Sequence, residues 1–337
     1  AALAQDAPGA ERIHATAPGD WSMQVVSEGL DYPWAIALAG DRFLLTEKAG
    51  NIVVIENGRQ RRYPLQTSDA IVHDSGAGLL GMALSRDFAQ SGVAYFYHAY
   101  RSDAGLTNKV IQVTFDGKVW RETRVLLAGI PGHRLYNGGA IAIGPDGYLY
   151  VTTGWTANRE RPQDRSNLAG KVLRMTLDGR APQDNPFPGS LVYSYGHRNP
   201  QGMAWNPAGE LFVVEHGESG HDEINRIRPG VNYGWPLAEG AEQRSGMEPA
   251  WIESGRSTWA PAGAAFFGNE LLVAALGSRE LLVVDEGTRT LKRVFSSGDR
   301  IRDVLSVGRD LYLITTNRSP RAEGPSKDRL LRLSPNR

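Results

Sequence analysis

Three arginines stand out because each sits at the start of a short apolar run: Arg198 in His197-Arg198-Asn199, and Arg300 and Arg302 in Asp299-Arg300-Ile301-Arg302-Asp303. A guanidinium offers paired donors that match carboxylate or phosphate oxygens, so three of them converging would suit an anionic ligand. Arg300 and Arg302 are two apart and would share one face of a strand. The competing reading is a structural pair bonded to Asp299 and Asp303. A second dense segment is Glu215-His-Gly-Glu-Ser-Gly-His-Asp-Glu223. Its oxygens suit a hard cation such as Ca²⁺, though the spacing is not that of an EF-hand, and a solvated acidic loop is the alternative. His216 and His221 lack the partner pattern of a zinc site.

These residues need a frame, and the frame is a repeat. Six β-prone runs recur: DRFLLTE from Asp41, GVAYFYH from Gly92, GYLYVTTG from Gly147, GELFVVEHG from Gly209, NELLVAALG from Asn269 and RDLYLITTN from Arg309. Each is preceded by a Gly/Ala-rich run, such as YPWAIALAG from Tyr32 or GGAIAIGPDG from Gly138. Each is followed by a third run, such as NIVVIENG from Asn51. A unit of roughly 40–60 residues repeated six times predicts an all-β, six-bladed β-propeller with four-stranded antiparallel blades. Small residues fall in the innermost strands, where side chains crowd about the axis. Weaker runs such as RRYPL and TRVLL supply the outer strands. Residues 1–20 read as a flexible leader, and residues 21–337 as one propeller domain in which the strand from Trp21 closes the ring onto the last blade.

In such a blade the connection into the inner strand and the connection from the second to the third strand open on one face. On that face the sequence places His73, Asp74, Tyr136, Asn137, His197, Arg198, Asn199, Asp299, Arg300 and Arg302. The second set of loops adds Glu47, Lys48, residues 155–167, residues 215–223 and Arg318.

Composition narrows the field. The 337 residues carry 37 Lys+Arg and 37 Asp+Glu, so no net charge favours nucleic acid or an anionic membrane. No apolar stretch is long enough to span a bilayer. With no cysteine there is no disulfide and no thiolate chemistry. The Ala-rich start, Ala1 to Pro8, resembles what remains after an export signal, or an ordinary tail. Gly76-Ala-Gly-Leu-Leu-Gly81 fits GxGxxG but leads into another β-like run, not a helix, which argues against a nicotinamide cofactor.

GLLGMALSRDF, KVLRMTLDG, GHRNPQGMAW, HDEINRIRPGVNYGWP and RIRDV together resemble the soluble PQQ-dependent glucose/sorbosone (aldose sugar) dehydrogenases, from about Val25 to Leu333. The resemblance implies a periplasmic or secreted quinoprotein that oxidises aldoses at the anomeric carbon, a CH–OH group, and passes electrons to an external acceptor. It implies pyrroloquinoline quinone (PQQ) and Ca²⁺ as cofactors. Arg198 and Asn199 would contact the quinone, His216 would line it, and Arg300 and Arg302 would pair with its carboxylates. The backbone oxygens of Gly217 and Glu218 would hold the calcium.

The chain departs from the family pattern at one group of positions. Tyr136 stands where the family has its histidine base, and Ala140 where it has an arginine. Gly76, Gly277 and Trp155 replace a Gln, a Lys and an acidic residue found in some members. A phenol, which ordinarily titrates at about 10, is a poor base at neutral pH. Three readings follow: a dehydrogenase of altered or weak activity using Tyr136 or His133, a non-catalytic propeller that binds a quinone or another anion, or one that binds carbohydrate or a protein partner.

Overall fold

The computed structural model describes residues 20–318 and 327–336. The expected leader, apart from Asp20, lies outside the described residues. Strand makes up nearly all of the regular secondary structure, with one four-residue helix at Phe88–Ser91 and one 3₁₀ turn at Arg161–Gln163. No described helix is long and apolar enough to cross a membrane.

The strands form six antiparallel four-stranded units, the first five in sequential order. The first runs Pro33–Ala39, Arg42–Glu47, Asn51–Glu56 and Arg59–Gln66. Its last hairpin turns on Asn57-Gly58, both at positive φ, the pairing that a two-residue turn of primed type requires. The sixth unit takes its inner strands from Ile301–Val307 and Asp310–Thr315, its third from Asp328–Pro335, and its outer strand from Trp21–Leu30. The two ends of the chain are thus hydrogen-bonded, with Trp21 opposite Pro335 and Leu30 opposite Asp328. The first and second units also touch through a short parallel pairing, Leu65 with Trp120 and Gln66 with Arg121.

The six inner strands begin at Pro33, Leu79, Gly138, Pro200, Pro261 and Ile301, and each touches the next, the last meeting the first. Apolar faces are sandwiched between neighbouring units. Phe212, Val214 and Ile252 of the fourth meet Leu271 and Val273 of the fifth, and Ile36, Leu45 and Val53 of the first meet Ile314 and Leu330 of the sixth. Each such buried side chain contributes about 1.5–3 kcal/mol. The small inner residues are required by contact: a Cβ on Gly81 would strike the carbonyl of Gly139, and one on Gly202 the carbonyl of Ala262.

Each inner strand carries one extra residue near its start, between Pro33 and Ile36, Leu79 and Met82, Gly138 and Ile141, Pro200 and Gly202, Pro261 and Ala264, and Ile301 and Asp303. A bulge of this kind re-aims a side chain without ending the ladder. All six lie at the same end of the ring. Buried threonines brace that end: Thr46 accepts from Ala35 N–H and donates to Leu80 O, and Thr152 accepts from Ala140 N–H and donates to Pro200 O.

Candidate functional site

A pocket of about 340 Å³ opens at the bulged end. Tyr136, Arg198, Asn199, His216, Gly217, Glu218, Arg300 and Arg302 all line it, so every site residue expected from sequence is brought together here. Lys48, Asp222 and Arg318 join them. Other residues expected on this face do other work. His197 is fully buried between Ser194 Oγ (2.7 Å) and Glu215 (3.2 Å). Asp74 is held by Arg134, Glu47 by Arg62, and Asp299 bonds Arg329.

One wall is cationic. Arg302 sits at the bulge of its strand and is only 3% exposed. Its Nε donates to Trp34 O, its Nη1 to Gln201 Oε1 and its Nη2 to Gln201 O, all at 3.1 Å. Its guanidinium lies 3.7 Å from the Trp34 ring centroid. Both partners come from the bulges of other units, so three bulges lock one arginine. Burial lowers Arg302 to about 10, which leaves it cationic at neutral pH. No hydrogen bond joins it to Asp303, and Asp299 is engaged elsewhere, so the structural-pair reading does not hold. Arg300 is half-buried, and its Nε is buried with no partner among the described residues. Among those residues Lys48, Arg198, Arg300 and Arg302 make no ion pair, while Arg318 meets Asp31 at 3.2 Å.

The opposite side is aromatic, and of its three rings Tyr136 alone lines the pocket itself. The Arg198 guanidinium lies 5.0 Å from the ring of Tyr136, 5.4 Å from Trp155 and 5.2 Å from Trp235, within cation–π range of all three. Its Nε is also buried without a partner. Trp155 N–H donates to Arg198 O at 2.8 Å, which fixes the stack to the backbone. The Tyr136 ring stacks on His133 at 5.0 Å. His133 does not line the pocket, and its Nδ1 accepts from Leu135 N–H at 3.0 Å. Burial and the adjacent Arg134 hold it below the usual imidazole range.

The floor is the acidic loop. Asp222 accepts from Gly217 N–H through one oxygen, and from Thr258 Oγ1, Trp259 N–H and Ala260 N–H through the other. No described donor bonds the carbonyl oxygen of Gly217 or of Glu218. His216 donates from Nε2 to Pro261 O at 2.7 Å, and burial lowers it to about 4, so it is neutral. His221 instead pairs with Glu253 at 2.9 Å. No cluster of three or more His, Asp or Glu that could hold a metal occurs among the described residues. Beneath the loop, burial raises Glu215 to about 7 and lowers His197 to about 3, so the imidazole is uncharged and their contact is a hydrogen bond, not an ion pair.

The departures noted in sequence fit this geometry. A Cβ on Gly76 would lie 2.8 Å from Arg134 O and 2.9 Å from Leu135 O. The segment carrying His133 and Tyr136 lies where a longer side chain at residue 76 would pass. Sequence reasoning missed Tyr32, Trp34 and Gln201, which also line the pocket. Tyr32 precedes the first inner strand, the position from which the other site residues were chosen, and the same rule would have found it.

The Glucose / Sorbosone dehydrogenase family model matches residues 30–323. An aldose sugar dehydrogenase of Escherichia coli, YliI, is 32% identical, with 95% of this chain and 94% of that protein covered. Quinoprotein glucose dehydrogenase B of Acinetobacter calcoaceticus is 33% identical over 67% of this chain and 55% of its own length. The structure of the PQQ-bound form of an aldose sugar dehydrogenase from Streptomyces coelicolor superposes with a TM-score of 0.84 at 35% identity, covering 95% of this chain and 99% of that one. With the family model spanning most of its length, this chain belongs to the glucose/sorbosone dehydrogenase family.

Proposed function

We propose that the chain is a PQQ-dependent dehydrogenase, folded as a six-bladed β-propeller, that oxidises aldose sugars at the anomeric carbon. The observation that carries this reading is charge. Among the described residues four pocket cations have no ion-pair partner, and two of them, Arg198 and Arg300, keep a buried Nε without an acceptor. Leaving such donors unsatisfied costs about 1–3 kcal/mol each, so the pocket suits a flat, multiply anionic ligand. PQQ is one, with three carboxylates. Arg300 and Arg302 would take carboxylates, while Arg198 and Asn199 would face the quinone and His216 its edge. The donor-free carbonyls of Gly217 and Glu218 would hold Ca²⁺, a cation that favours oxygen ligands.

When bound, PQQ supplies the oxidant that takes two electrons from the sugar. The chain positions the reactants and moves protons. Arg198, fixed among three rings, places positive charge where negative charge develops. Tyr136, at the family's base position, would accept the proton of the C1 hydroxyl. A phenol accepts a proton only once ionised, so turnover should rise toward alkaline pH. A periplasmic or secreted location and an external electron acceptor belong to the same proposal and rest on the family resemblance.

The test is reconstitution with PQQ and Ca²⁺, followed by dye-linked oxidation of a panel of aldoses from pH 5 to 10. Turnover that climbs with pH is expected. Absence of turnover across the panel, with PQQ bound by calorimetry, would leave a binding protein and remove the enzyme.

A further inference from the structure

Three buried lysines invite comparison. Lys171 donates to three carbonyls, those of Arg161 (2.8 Å), Pro162 (3.3 Å) and Ala169 (2.6 Å). Lys109 is held by Asp69 (2.8 Å), Ser68 Oγ (3.1 Å) and Glu122 (3.6 Å). Lys48, 4% exposed, has one oxygen, Ser75 O at 3.1 Å, and the Tyr32 ring face at 4.0 Å. An ammonium carries three donors, so Lys48 alone of the three is under-coordinated, and it alone of the three lines the pocket.

Its surroundings repel a positive charge. Arg300 and Arg302 face it from the sixth unit, and Arg318 lies over the same Tyr32 ring at 5.8 Å. From the loop that leads into the second unit come His73, held below its ordinary value by burial, and Asp74, which is bonded to Arg134. Burial holds Tyr32 up at about 12, so it contributes no charge. No carboxylate forms an ion pair with Lys48 among the described residues.

We propose that Lys48 takes up a proton as the anionic ligand enters, so that anion binding and proton uptake at this pocket are a single event. The inference rests on the reading that the ligand is an anion. Burial first, then Arg302 and Arg300, lower Lys48 to about 7, so above neutrality the free protein holds it largely as the amine. An incoming carboxylate reverses that local field and restores the ammonium. Lys48 is therefore a ligand-anchoring residue whose charge appears only with its partner, and affinity must fall as pH rises above neutrality.

Two measurements test this. In the ligand-free protein labelled with ¹³C-lysine, the resonance lost in Lys48→Met should titrate near neutrality. A midpoint near the ordinary value of about 10.4 would overturn the inference whether or not PQQ binds. Next, PQQ with Ca²⁺ is titrated calorimetrically at pH 8.5 in buffers of different ionisation enthalpy. The wild type should take up close to one proton more than Lys48→Arg, whose charge is permanent. Its affinity should drop toward tenfold between pH 7.5 and 8.5, while that of Lys48→Arg changes less than threefold. Equal proton counts in the two proteins would overturn the proposal. No heat with PQQ in either would instead sink the quinone reading, and the NMR titration, repeated with inorganic pyrophosphate, would then decide the Lys48 inference by whether the anion shifts the midpoint upward.

Discussion

The two walls of the pocket are built by different rules. The cationic wall is held by backbone: Arg302 bonds one carbonyl from the first unit, and a carbonyl and an amide oxygen from the fourth. The aromatic wall is held chiefly by ring contacts around Arg198, with two backbone ties, Trp155 N–H to Arg198 O and Arg198 Nη1 to His216 O, and it contains two of the five departures, Tyr136 and Trp155. A wall tied to the ring's own strands resists substitution, because each change leaves buried polar groups unpaired. A wall made of stacked rings can exchange one ring for another at small cost. Ligand charge and ligand chemistry are thereby separated in space.

Arg302→Ala should produce the largest effect. It strips partners from Trp34 O and Gln201 and removes the deepest cation, so PQQ affinity should fall by about 100-fold or more, read by calorimetry. An affinity within threefold of wild type would break the division of labour between the walls.

Acid should act on the aromatic side first. His197, stacked on Tyr233 at 5.0 Å behind that wall, is lowered by burial to about 3, and His98 to about 4. Their folded values lie below the unfolded value of about 6.5. Their share of stability is therefore present above pH 6.5 and lost as pH falls below it, by up to about 1.4 kcal/mol per pH unit for each. His216, lowered to about 4, adds to this loss, while Glu215, raised to about 7, acts with the opposite sign over the same window. Denaturant melts of the wild type and of His98→Gln at pH 6.5, 5.5 and 5.0 isolate the His98 share: the variant's stability should fall less steeply, by up to about 1.4 kcal/mol per pH unit.

Tyr136→His should sharpen the contrast from the other direction. It restores an imidazole where the family has one, so kcat at pH 7 should rise about tenfold, with PQQ affinity unchanged within threefold. A change in affinity instead of kcat would mean that this ring serves the cofactor and not the proton.

The strands were legible because each unit repeats the same alternation, and the cationic site was legible because arginines precede inner strands. Other features were not. Trp34 and Gln201 look like ordinary strand residues, and only the bulges turn them toward Arg302. The enclosure of Arg198 joins residues 136, 155 and 235, which share no sequence spacing. The state of Lys48 depends on which carboxylates are absent from its neighbourhood, and no local pattern records an absence. Gly76 reads as a lost side chain in sequence. In space Arg134 O and Leu135 O approach it so closely that a side chain there would collide with them.

The extra residue in every inner strand has a further consequence. It re-aims the backbone at six points around one end of the ring. Trp34, Gln201 and Arg302 occupy three of them and face the ligand. The other three hold only small or aliphatic residues, Leu80-Gly81, Gly139-Ala140 and Ala262-Gly263. Retuning the chamber for a different guest would therefore begin at Trp34 and Gln201, because a Cβ on Gly81, Gly139 or Gly263 would meet Gly139 O, Leu80 or Asp303.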